Sequence, residues 1–121
     1  MIRARVTAFV RYSAENPELG RLMVREGSRP SWRLTYIVEQ LQPRRAEWVA
    51  ESGGAPLDPH VYYLLIGAGA FVFDVEYECR EIFDVDPRSD AFIRKHAAMV
   101  ADMAIALVES RMNAAEGGTE A

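Results

Sequence analysis

Apolar residues along the chain recur mainly at three- and four-residue intervals, the period of a helix packed on one face, and alternation typical of strands is scarce. Over residues 2–14, Ile2, Val6, Phe9 and Val10 form one stripe while Arg3, Arg5 and Arg11 lie off it, predicting an amphipathic helix that begins almost at the first residue. Asn16, Pro17 and Glu18 then read as an N-cap, a first-turn proline and a first-turn acid. They open a short second helix with Leu19, Leu22 and Met23 as its apolar side and Gly27 at its end. Pro30 and Ser31 start a third segment, where Trp32, Tyr36 and Glu39 or Leu34, Val38 and Leu41 repeat at helical spacing up to Pro43. A kink there and a restart into a fourth helix through Trp48 and Val49 are both compatible with the pattern. SGGAP, residues 52–56, reads as a flexible loop.

The strongest predicted element runs from about Pro59 to Phe83, with Asp58 as its N-cap. Val61, Leu64, Leu65, Ala68, Val72, Val75, Cys79 and Ile82 follow one face, and Tyr62, Ile66, Ala70, Phe73 and Tyr77 trace a second apolar path. A small domain has too little core to surround a helix on all sides, so the second path is expected to meet another subunit. After Asp86 and Pro87 a final helix is predicted from Arg88 or Ser89 to Arg111. Phe92, His96, Met99, Met103 and Leu107 lie on one line, with Ile93, Ala97, Val100, Ala104 and Val108 beside it. Ala98, Ala101, Ala104 and Ala106 leave room for close helix approach. The expected fold is an all-α antiparallel bundle over residues 1–113 with a flexible tail at 114–121. Its two long C-terminal helices are expected to pair across a twofold axis as a four-helix dimer interface.

Composition narrows the function classes. At 121 residues the chain suits one domain. Its formal net charge of −4 repels rather than attracts a phosphate backbone. Cys79 is the single cysteine, which excludes an internal disulfide and a cysteine-based zinc cluster and fits a reducing compartment, so a cytoplasmic location is expected. The amino terminus lacks the apolar run of a signal peptide, and the stretch from Val61 to Phe73 is too short to cross a bilayer; no membrane partner is expected.

No HExxH, CxxC or GxSxG spacing is present, so neither a metal, a cofactor nor a catalytic residue is expected; a small helical enzyme using His96 is the weakest reading. Gly67 and Gly69 lack the strand and third glycine of a dinucleotide loop, and instead suggest close backbone approach at a dimer seam or beside a ligand. An apolar small-molecule site is expected to draw on Trp32, Tyr36, Trp48, Tyr63, Phe71, His96, Met99 and Met103, with a histidine or a tyrosine hydroxyl orienting a polar end.

Taken in order, FVRYSAENPELGRLMVREG (9–27), PSWRLTYIVEQLQP (30–43), LDPHVYYLLIGAGAFVFDVEYECREIF (57–83) and DPRSDAFIRKHAAMVADMAIALV (86–108) resemble the C-terminal ligand-binding and dimerisation domain of TetR-family transcriptional regulators. The resemblance implies a sensor half that pairs through its last two long helices, with Tyr62, Ile66, Ala70, Phe73, Ala97 and Ala101 at the dimer interface. It also implies a homodimer whose effector occupancy controls a DNA-binding domain. The three-helix DNA-binding half of such regulators is not within these 121 residues, so DNA contact is expected only through a domain outside them. A structural homodimerisation module without a pocket is the alternative.

Overall fold

The computed structural model describes residues 1–51 and 58–117, with side chains described at all of these except 48, 49, 51 and 115–117. Six helices account for nearly all of them: α1 (Ile2–Glu15), α2 (Pro17–Gly27), α3 (Trp32–Glu51), α4 (Pro59–Asp74), α5 (Glu76–Phe83) and α6 (Asp90–Gly117). The described residues contain no strand. The 52–56 segment and residues 118–121 of the expected tail lie outside the described residues, while 114–117 continue α6.

The core follows from the apolar stripes. Val10 and Ala14 of α1, Phe73 of α4, and Ile93, Ala97 and Val100 of α6 form one buried cluster, to which Val6, Ala68, Val72 and Phe92 add their partly buried flanks. The helix nearest the amino terminus thus packs chiefly on the last one, with α4 closing the third side. Gly69 marks the tightest approach. A Cβ built there would stand 2.8 Å from Cε2 of Phe9, so α1 and α4 meet at a distance only glycine permits. Gly67, two residues earlier, has nothing within 4 Å of its would-be Cβ, so the close-approach reading holds for one glycine of the pair, and there the approaching group belongs to the same chain.

Three local expectations are corrected. Asn16 is the N-cap residue of α2, with Pro17 and Glu18 in the first turn as expected, but its side chain makes no cap bond: Nδ2 donates to the Tyr12 carbonyl at 2.9 Å and closes the end of α1 instead. Of the two readings at Pro43 the restart falls, because α3 runs through the proline to Glu51 as one helix. The helical N–H that proline lacks frees the Glu39 carbonyl, and this stretch is solvent-exposed, so water can take the bond. The long helix expected from Pro59 to Phe83 is broken at Val75, where φ is −120° and ψ is 39°. Glu76 stands three residues beyond Phe73 and would extend its buried stripe. Its carboxylate is instead met by Arg21 at 3.5 Å and Arg80 at 3.4 Å. A buried carboxylate needs such partners, and the break places it between them.

The Asp58 N-cap is as expected: its Oδ1 accepts from the His60 backbone N–H at 2.8 Å. Asp58 also pairs with Arg111, fastening the start of α4 to the far end of α6. α3 is the outlier. Among the described residues it touches only α2, and none of its described side chains is buried. The buried Glu26 carboxylate holds Arg33 at 2.9 Å across the α2–α3 turn. No described helix is long and apolar enough to cross a membrane.

Candidate functional site

His96 ties the two longest core helices together. Its Nε2 lies 2.7 Å from the Ala68 carbonyl oxygen. A carbonyl can only accept, so Nε2 carries the proton and donates. The ring is stacked on Phe92, with centroids 5.6 Å apart and planes 12° from parallel, and meets Phe73 edge-on at 6.0 Å. Aromatic packing and one hydrogen bond therefore account for a histidine on an apolar stripe, and they also fix the register of α4 against α6.

That contact locates a seam. At about 100° per residue, Leu64 and Phe71 fall within about 60° of Ala68 on the solvent side of α4, and Met99 and Met103 within about 60° of His96 on the solvent side of α6. Both pairs flank the same junction. All four are open to water: Leu64 is 58% exposed, Phe71 60%, Met99 61% and Met103 41%. Large apolar side chains scattered singly on a surface are ordinary, but four along one helix–helix junction form a patch. Below the seam, Phe83 and Val85 are likewise exposed.

The sequence-based assignment of roles divides differently in the folded chain. Phe73, Ala97 and Ala101, expected at a dimer interface, are buried among α1, α4 and α6 of the same chain and have no surface to offer a partner. Tyr62, Ile66 and Ala70 are half-buried and climb, four residues at a time, toward Asp74, whose Oδ1 fills the notch at Gly20 of α2. They belong to the α2 flank of α4 rather than to the seam. Periodicity carried no information about which apolar path the amino-terminal helices would cover.

Of the residues expected around a ligand, His96 and Met99 come together beside one groove, and Met103 lies one turn further along the same side of α6. Phe71 stands across the seam on α4, and the exposed Tyr63 meets Tyr62 edge-on. Trp32 and Tyr36 are exposed on α3, which among the described residues has no contact with α4 or α6. The Trp48 side chain lies outside the described residues. The expected eight-residue pocket is thus not one surface. Missed by sequence reasoning were Leu64, placed on the core-facing stripe, and Lys95, whose signal is that it is the only lysine among thirteen arginines.

Electrostatics differ at the two ends of α4. The His60 backbone N–H, aided by the charge of Arg111, holds the Asp58 carboxyl below its ordinary value. Partial burial pushes the Asp74 carboxyl up, only partly opposed by Arg21. Burial, with nearby Tyr63, also raises the Tyr62 hydroxyl. Among the described residues no group of three or more His, Cys, Asp or Glu side chains is placed to hold a metal ion.

Comparison with protein-family models, curated proteins and solved structures finds no significant match to this chain.

Proposed function

We propose that this chain is the ligand-sensing and dimerisation portion of a transcriptional regulator of the kind its sequence resembles, pairing with a second copy through the α4–α6 seam. The observation that carries the reading is the run of exposed Leu64, Phe71, Met99 and Met103 along one helix junction. Burying such a patch against its own copy removes apolar surface from water, at roughly 25 cal/mol per Å². A twofold axis over the seam places two α4–α6 pairs face to face, so that each copy offers the same patch. Effector control follows if a small molecule binds one packing of the pair more tightly than another and so shifts the population. DNA recognition then belongs to a domain outside these residues.

A purely structural pairing module is the second reading; the openness of the grooves beside the seam favours it over an enclosed sensor pocket. Both readings require self-association. Light scattering at micromolar concentration is expected to return twice the 13.6 kDa chain mass, and the double substitution Phe71→Glu and Met99→Glu to return the single mass with helical content unchanged. A native chain that stays at 13.6 kDa refutes both.

A further inference from the structure

Where α4 gives way to α5, two adjoining spaces open beside the start of α6, sharing Val85 and Phe92 as a common wall. One, of about 360 Å³, is lined by Val72, Cys79 and Phe83 together with that wall and has no polar side chain. The other, of about 450 Å³, adds Ser89, Lys95 and His96 and reaches Met99 of the seam. Both are grooves open to solvent rather than enclosed cavities, with volumes in the range of about 300–1,000 Å³ common to small-molecule sites. The groove therefore has an apolar end and a polar end.

The polar end carries a definite sign. Lys95 makes no ion pair among the described residues, and the nearest acids in sequence are occupied: Asp90 by Arg94 at 2.9 Å and Arg11 at 3.5 Å, Asp102 by Arg3 at 2.6 Å, and Asp86 by Arg80 at 3.0 Å. Ser89 Oγ accepts from the Phe92 backbone N–H at 3.2 Å, which leaves its hydroxyl proton to donate elsewhere. His96 has already spent its Nε2 proton on the Ala68 carbonyl and contributes its ring face. An ammonium and a hydroxyl donor lining one of two adjoining spaces, with only apolar side chains lining the other, complement a carboxylate with a hydrocarbon tail.

We infer that this groove binds an amphipathic monocarboxylate. Its tail lies against Val72, Cys79, Phe83 and Phe92, and its carboxylate meets Lys95 and Ser89. This names an effector class within the sensing reading and rests on it. Because the groove shares Met99 with the seam, an occupied groove changes the surface that a second copy packs against.

Octanoate and octylammonium share a tail and differ in the sign of the head, and the chain's net charge of −4 favours the cation. Titration calorimetry on the full 121-residue chain, with amide shifts followed by NMR, is expected to show one octanoate per chain, bound at least about tenfold more tightly than octylammonium. Shifts are expected to centre on Cys79, Phe92 and Lys95. Lys95→Gln is expected to abolish the preference for the anion, and Phe83→Ser, at an exposed position, to weaken both probes. Equal affinity for the two probes, an unchanged preference in Lys95→Gln, or shifts centred elsewhere would overturn the inference. Light scattering on the same samples separates the two claims: a dimer that takes no octanoate sinks the effector class alone, whereas a monomer that takes it through Lys95 sinks the pairing alone.

Discussion

The two faces of α4 carry similar chemistry and meet opposite fates. Phe73 is 1% exposed and Phe71, two residues earlier, is 60% exposed; Gly69 lies under the Phe9 ring while Gly67 faces open space. Composition is nearly the same on each side. What differs is whether a helix of the same chain arrives to cover it, and α1 and α6 cover only one side. An apolar residue in a sequence therefore declares a need for cover without saying who supplies it.

Substitutions at these matched positions test the contrast. The largest expected effect is Phe73→Ala, which removes a fully buried ring and costs about 3–5 kcal/mol in chemical denaturation. Phe71→Ser, by contrast, is expected to leave the unfolding of dilute monomer within about 0.5 kcal/mol of the parent and to weaken self-association by about tenfold or more. An equal loss of stability from both would mean that the two faces are not different. At the glycines, Gly69→Ala is expected to destabilise by about 1–3 kcal/mol, since its methyl must displace the Phe9 ring. Gly67→Ala, with free space and a gain in helix propensity, is expected to stabilise by about 0.5–1 kcal/mol.

The smallest effects concern the ends of the same helix. Asp58 is held below its ordinary value in the folded chain, so its contribution is present above the ordinary aspartate range and disappears as pH falls through the lowered folded value. Asp74 has the opposite sign. Its raised folded value means that protonation favours the fold, and this contribution is lost as pH rises from the ordinary aspartate value through the raised one. Asp58→Asn is therefore expected to lower stability at neutral pH and Asp74→Asn to raise it, with both differences shrinking in acid. Thermal melts from pH 3 to 7 read the two slopes, and slopes of the same sign would contradict the assignment.

Much of the fold was legible because caps and stripes are local. Asp58 and Pro59 announce the start of α4, and Val10, Phe73, Ile93, Ala97 and Val100 all sit on predicted apolar stripes. Less legible was the break at Val75, because no proline or glycine marks it; the available sign is Glu76 on the stripe of Phe73, with Arg80 one turn away to pair it. The candidate site was legible only in fragments. His96 and Met99 were singled out for their place on an apolar line, whereas Trp32 and Tyr36 were drawn in by composition and turn out to stand on a helix remote from the others. Which apolar stripe faces inward is decided by contacts between residues dozens of positions apart, and no local pattern encodes that choice.

Among the described residues α3 is held through α2 alone, and this has a consequence on the time axis. Its backbone hydrogen bonds can open without disturbing the packing of α1 against α6, so the chain is expected to exchange its amide protons in at least two cooperative units. Amides of α3 would exchange fast, by local opening, and those around Val10, Val100 and Ala104 only by global unfolding. Clamping α2 to α3 through the Glu26–Arg33 pair then sets how often α3 opens, and Arg33→Ala should quicken exchange throughout α3 while the slowest amides of α1 and α6 keep their rate.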